Sequence, residues 1–279
     1  MEEASGAQSV ERAMHLLALV AERHHSGATL GELVRASGLK QPTVRRLLVA
    51  LIRSGIASQD DETKRYHLGI TAHLYGTIAS DRFAAHTMAD ESVRRLAEQS
   101  EDTAFFCLRQ GLHTLCMRRE EGLHPIRSHV LNTGQRHPLG VAAHGIAILA
   151  SLEDREIDAV IAAHSEYYES HYPMLTEPVL RQAIAETRRR GCAINRGIFH
   201  TGAWAIAVAV RDHTGRVLGA LSIGATEGRL AESRQPEIIT MLKSETRKLE
   251  SRFAAVSMKF SSDSLYASVR PSLAKSEKP

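Results

Sequence analysis

Gln41, Thr43, Arg45 and Arg46 lie within six residues of one another, beside Pro42. An amide, a hydroxyl and two guanidinium groups at the start of a helix suit base edges and phosphate oxygens. The sequence leaves open whether Arg45 or Arg46 would meet guanine or phosphate, and whether Gln41 would face bases or backbone. Lys64 and Arg65 follow on a segment that reads as a hairpin and add charge suited to phosphate. Motifs of covalent or metal chemistry are missing: there is no G-x-S-x-G, no phosphate-binding G-x-x-x-x-G-K loop and no H-E-x-x-H. Cys107 or Cys116 with a histidine is the one conceivable nucleophile, but both fall in an apolar hairpin where burial makes a thiol inert. The expectation is therefore no catalytic residue, no metal and no cofactor.

The elements that must position the cationic residues are legible. Thr29 and Glu32 have capping-box spacing, in which each side chain satisfies a free N–H at a helix start. Leu30, Leu33 and Val34 then recur at helical spacing. Gly38 suits the turn, where only glycine takes a left-handed conformation without strain. Pro42 suits the first turn of the next helix, where its missing N–H costs nothing. Val44, Leu47, Leu48 and Leu51 give that helix its inward stripe, and Gly55 ends it. Ile56 and Ser58, then Arg65, Tyr66 and Leu68, flank the polar turn Asp60-Asp61-Glu62-Thr63 as a hairpin. The order is that of a winged helix-turn-helix, with its second helix available to a DNA groove. The acidic turn argues against the wing tip lying directly on phosphate. A plain helical hairpin with solvated arginines is the alternative.

A chain of 279 residues has room for two domains. The net charge of +3 makes any nucleic-acid surface local. No apolar run approaches the ~20 residues that cross a bilayer, and the N-terminus is acidic and polar, unlike a signal peptide. Three widely spaced cysteines, Cys107, Cys116 and Cys192, suit reduced thiols in a cytoplasm better than a disulfide frame.

Periodicity divides the chain into a DNA-binding domain at 9–69, a linker helix region at 70–83, a second domain at 84–254 and a tail at 255–279 expected to be flexible. Residues 1–8 read as flexible, with Ser9 capping a first helix over 10–23. In the second domain the pattern predicts a helix over 84–99 and strands over 103–108 and 113–118. A weaker strand is expected over 126–130 and a small-residue buried helix over 141–151. Helices follow over 153–163 and 177–191, then strong strands over 203–210 and 217–223 and a last helix over 233–253. Strands and helices interleave without regular βαβ spacing, so the class is α+β with a mainly antiparallel sheet.

Taken together, these segments resemble the IclR family of bacterial transcriptional regulators. The likeness runs from about Ser9 to Leu249. It is carried by SVERAMHLLALV, TVRRLL and YHLG in front, then by TGQRHPLGVAAHGIAILA, RRRGCAINRG and TGAWAIAVAVRDHTGRVLGALSIGA. The resemblance implies a winged helix-turn-helix followed by a GAF-like effector-binding domain, assembled as a homodimer or dimer of dimers on double-stranded operator DNA. It implies a small organic effector, often a catabolic acid. Carried over residue by residue, the effector site would comprise backbone at Ala143 and His144, together with Asn195, Ala205, Ser222 and Gly224. Gly140, Ile146 and Ala209 stand where the family commonly has His, Lys and Pro.

Ala143, Ala205 and Gly224 would leave space in such a site, and Asn195 and Ser222 would offer neutral hydrogen bonds. His144, Arg196 and His200 lie close enough in sequence to neutralise an acid somewhat larger than a two- or three-carbon one. Each has a plainer reading: His144 as a backbone-bonded core histidine, Asn195 as a turn residue, Ser222 as a strand hydroxyl, Arg196 as a surface arginine. The expected function is a ligand-responsive, cytoplasmic DNA-binding regulator of a catabolic operon. The alternatives are a helix-turn-helix carrying an enzyme or a protein-association module.

Overall fold

A computed structural model of the chain describes residues 4–23, 26–80, 84–126 and 131–257. The chain divides into two compact units, residues 1–82 and 83–279.

The first unit is built from α1 (Ala4–Ala21), α2 (Leu30–Ser37), α3 (Gln41–Arg53), β1 (Ala57–Gln59), β2 (Tyr66–Leu68) and α4 (Ile70–Ser80). Thr29 and Glu32 form the capping box, with the Thr29 N–H donating to the Glu32 carboxylate at 2.7 Å. Gly38 turns the chain at φ 65°, and Pro42 sits in the first turn of α3. Leu16 and Val20 of α1, Leu33 of α2 and Val44, Leu48 and Leu51 of α3 meet in one core. The first helix starts at Ala4 instead of after Ser9, so residues 4–8 are helical. Weak helix formers at its front hid that start from a reading based on caps.

The second unit holds α5 (Ala84–Ser100), β3 (Thr103–Gln110), β4 (His113–Glu120), β5 (Arg136–Pro138), α6 (Ala142–Ala150), α7 (Asp154–His171), α8 (Glu177–Arg190), β6 (Ala193–Arg196), β7 (Ala203–Arg211), β8 (Val217–Thr226) and α9 (Gln235–Ser257), with a 3-10 turn at Glu227–Leu230. Among its described residues, six strands form one antiparallel sheet in the order β5-β4-β3-β8-β7-β6. The expected strand over 126–130 is not found at Ile126, which lies in a bend; the rest of that segment falls outside the described residues. The strand beside β4 is β5 instead. The expected flexible tail begins inside α9 at 255–257, and the remainder lies outside the described residues.

Successive strand residues face opposite ways, and here the two faces differ in size. Ile206, Val208 and Val210 of β7, with Leu221 and Ile223 of β8, pack with Val93 and Leu96 of α5 and Leu242 and Leu249 of α9. The other face presents Ala205, Ala207, Ala209 and Ala220 to α6, α7 and α8. Charge holds the edge of this unit. Asp102, its side chain 1% exposed, accepts from Arg229 Nε at 2.9 Å and Arg234 Nη1 at 2.6 Å. Glu245 joins α9 to α5 through Arg95 at 2.9 Å.

Removing one partner of a buried ion pair strands the remaining charge. Asp102→Ala should therefore destabilise the second unit by on the order of 3 kcal/mol, whereas Asp158→Ala, which frees only the exposed Arg181, should cost under ~1 kcal/mol. Denaturant titration followed by the fluorescence of Trp204, the single tryptophan, compares the two.

Candidate functional site

The helix α3 buries Val44, Leu47, Leu48 and Leu51. Helical periodicity then turns Gln41, Arg45, Arg46, Ala50 and Arg53 outward, and all five are exposed. Pro42, Arg45, Arg46, Val49, Arg53 and Ser54 line an open groove on this outer face. Among the described residues, no carboxylate pairs with Arg45, Arg46 or Arg53. Thr43 is half-buried between the two faces.

The wing is shaped by its own acid. Asp60 Oδ1 accepts from Thr63 N–H at 2.7 Å, Thr63 Oγ1 at 2.7 Å and Glu62 N–H at 3.2 Å. The Thr63 N–H bond holds this carboxyl below its ordinary range. Lys64 follows at φ 55° and is exposed. Arg65 is placed differently: its guanidinium donates to Gly27 O at 3.0 Å and lies 3.9 Å from Glu32. It ties the wing to the start of α2.

In the second unit a cavity with about 40 Å³ of free space opens between the small-residue face of the sheet and the start of α6. Phe105, His137, His144, Asn195, Trp204, Ala205, Ser222 and Gly224 are among its lining residues, and Tyr172, Phe199 and His200 add aromatic walls. Pairing explains the convergence: Phe105 stands opposite Ser222, and Ala205 stands between Asn195 and Gly224. The first turn of α6 has no side-chain cap, and Ala142, its first residue, takes φ 58°. Uncapped N–H groups at a helix start favour an anion. Among the described residues, no Asp, Glu, Lys or Arg lines the cavity.

A family model described as the C-terminal part of the bacterial transcriptional regulator IclR matches residues 77–251, and one described as the IclR helix-turn-helix domain matches residues 9–61. The chain belongs to the IclR family. Its relatives include the HTH-type transcriptional regulator BhcR of Paracoccus denitrificans, 28% identical over 84% of this chain and 82% of that protein. The transcriptional repressor IclR of Escherichia coli is 24% identical over 84% of this chain and 86% of its own. Among solved structures, a putative IclR regulator from Silicibacter sp. TM1040 shares 25% identity, with a TM-score of 0.67 over 88% of this chain and 96% of that one. An IclR homologue from Microbacterium hydrocarbonoxydans, solved with 4-hydroxybenzoate, shares the fold at 18% identity, with a TM-score of 0.70 over 88% of this chain and 98% of that one. As a member of this family the chain is a DNA-binding transcriptional regulator, not an enzyme.

Five of the six effector positions drawn from the IclR resemblance, His144, Asn195, Ala205, Ser222 and Gly224, line the cavity. Ala143 does not: its side chain is fully buried in the core against α7 and α8, so only its backbone N–H is available. Asn195 is partly a turn residue, since its Oδ1 accepts from Ile198 N–H at 3.1 Å. Arg196 points elsewhere. It pairs with Glu232 at 2.8 Å and lies over the Trp204 ring, so it neutralises nothing in the cavity. Sequence reasoning missed His137, Phe105, Leu131 and Tyr172 as lining residues. They come from strands and turns distant in sequence, and only the register shows that they converge. Cys107 and Cys116 are register partners and fully buried, and burial pushes the Cys107 thiol well above its ordinary range.

Burial, and secondarily the neighbouring His137, lowers the His144 pKa from 6.5 to about 3. The unfolded chain therefore binds more protons than the folded one between these values. This contribution to stability is full above about pH 6.5 and is lost as pH falls toward 3. His144→Gln removes the titrating group, so its urea midpoint should fall less steeply than that of the unaltered protein between pH 6.5 and pH 4.5; parallel slopes would refute the assignment.

Proposed function

We propose that this protein is an effector-controlled regulator of a catabolic operon, in which α3 enters the major groove and a small organic acid occupies the cavity of the second unit. The observation that carries the reading is the unpaired cationic face of α3, with Arg45, Arg46 and Arg53 clear of any carboxylate among the described residues. Gln41 and Thr43 supply neutral contacts at the same end of the helix, and Lys64 a phosphate contact from the wing. Arg65, already engaged with Gly27 and Glu32, contributes mainly by holding the wing in place.

A homodimer fits the apolar residues left exposed on α4. Ile70, Leu74 and Ile78 recur every fourth residue with Tyr75 beside them, at 52–77% exposure. A second copy of the chain would cover this stripe and set two recognition helices for a two-fold operator.

An organic acid fits the neutral polar lining and the uncapped start of α6. The structural neighbour solved with 4-hydroxybenzoate makes an aromatic acid a reasonable member of that class. As it stands, a free space of about 40 Å³ holds only a few waters. A larger acid would have to displace part of the lining, for which the turn between Gly197 and Gly202, carrying Phe199 and His200, is our candidate.

Arg46→Ala should weaken operator binding and reduce the slope of log affinity against log salt by about one unit, without changing the thermal midpoint. Arg189→Ala, an exposed arginine of the second unit, serves as the control. Gel-shift titrations on the promoter region adjoining the gene, at several fixed salt concentrations, measure both quantities. Equal affinity and slope for Arg46→Ala and the control would remove this residue from the interface.

A further inference from the structure

His144 is 4% exposed, and its Nε2 is buried with no hydrogen-bond partner. Nδ1 of His137, from β5, is buried and unpartnered in the same way. The two rings lie 6.1 Å apart, centroid to centroid, and both line the cavity. A histidine placed for packing alone bonds to backbone, as His164 does with Leu112 O at 3.0 Å. Two adjacent orphan imidazoles are expensive to keep unless something else satisfies them. A metal does not fit: among the described residues no three His, Cys, Asp or Glu are placed to hold one.

We infer that the His137–His144 pair is the acid-recognition element of the cavity, and that the site takes up a proton from solvent as a carboxylate binds. This rests on reading the cavity as the effector site. The balance is simple: a carboxylate anion and one proton join two neutral imidazoles, giving a carboxylate beside one imidazolium and one neutral ring. No bond other than N–H is made.

The charge inventory requires this. From α6 itself the cavity receives no charged group. From β5 comes His137, and from the turn after β6 comes His200, whose charge opposes protonation of His137. After α7 comes Tyr172, whose hydroxyl burial keeps protonated. From β6, β7 and β8 come Asn195, Ala205, Ser222 and Gly224, and α8 brings Leu180 and Ile184 to the core around α6. Cys107 and Cys116 lie beside the lining residues Phe105 and Leu131. Among the described residues an anion entering here meets hydrogen-bond donors but no fixed cation, and a buried unpaired carboxylate is costly. Protonating an imidazole is the available remedy. In the empty site burial holds both rings neutral, and an adjacent anion opposes that shift.

Matched acid and amide probes on the full-length protein test the inference: acetate and acetamide, benzoate and benzamide, 4-hydroxybenzoate and 4-hydroxybenzamide. Trp204, the single tryptophan, lines the cavity and reports occupancy by fluorescence. Calorimetry at pH 6, 7 and 8, in buffers of different ionisation enthalpy, counts protons. The expected result is that at least one acid binds, tightening up to about tenfold per pH unit lowered, with uptake approaching one proton. Its amide should bind more weakly at pH 6 and without pH dependence. His144→Gln and His137→Gln should each flatten the acid's pH slope, and the proton count on the unaltered protein stands even where a variant folds poorly. Acid binding without proton uptake, or an amide that binds as tightly as its acid at pH 6, would overturn the inference and leave the effector reading intact. A panel that leaves Trp204 fluorescence unchanged throughout would overturn both.

Discussion

Everything in the second unit follows from an inequality between the two faces of its sheet. Strand alternation puts Ile206, Val208, Val210, Leu221 and Ile223 on one side, and Ala205, Ala207, Ala209, Ala220, Ser222 and Gly224 on the other. The large face fills itself against α5 and α9. The small face cannot, so a helix must come close, and α6 (AAHGIAILA) is small enough to do so. Gly145 serves the turn that leads into the helix, since a Cβ there would lie 3.0 Å from the backbone of Gly140. Where α6 begins, its first turn and the small strand residues stop short of one another, and the residual space is the cavity. An apolar void would be pure loss. This one is lined with imidazole, amide and hydroxyl groups, which makes it a place for a polar guest.

The distribution of charge follows the same division. Fixed ions are placed at the perimeter, where Asp102 holds Arg229 and Arg234, and Glu245 holds Arg95 and Lys248. Asp102 immediately precedes Thr103, and Thr103 pairs with Gly224. The clamp thus fixes the β3–β8 register at the end where Phe105, Ser222 and Gly224 wall the cavity. Tyr168, whose hydroxyl donates to Leu139 O, does the corresponding work on the opposite side, next to Gly140. Gly140, at φ 91°, has Leu180 and the Tyr168 hydroxyl 3.1–3.2 Å from where a Cβ would be, so the position tolerates no side chain.

The first unit was legible because its signals are local. Thr29 with Glu32, Gly38, Pro42 and the Val44–Leu47–Leu48–Leu51 stripe each act within one turn of chain, and each sits where the periodicity placed it. The hairpins β3–β4 and β7–β8 were legible for a similar reason, as long β-prone runs joined by turns. The short edge strands β5 and β6 were not. Three or four residues are too few to show alternation, and β5 ends in a proline that suits only an edge. Missing β5 hid His137. The direction of Arg196 was equally beyond a sequence reading, because its partner Glu232 lies after three further strand and loop segments. Ala143 and His144 are adjacent in sequence, yet one faces the core and the other the cavity, as helical geometry requires of neighbours.

The closed state of the cavity bears on how a ligand can act at all. A ligand shifts an equilibrium only by as much as it prefers one state over the other, however tightly it binds. A preformed pocket that fits its effector without movement offers no such preference. Here the free space is about 40 Å³, and Phe199 and His200 line it from a turn bounded by Gly197 at φ 78° and Gly202 at φ 80°. An acid that needs more room than this would have to move part of the lining, and on the effector reading the occupied and empty states would then differ in shape. The same turn carries His200, whose charge acts on His137. Opening it changes both the room available and the electrostatics of the imidazole pair. On the effector reading proposed above, a difference in shape and a difference in protonation would be two aspects of one transition, and together they would supply the differential binding that control of DNA affinity requires.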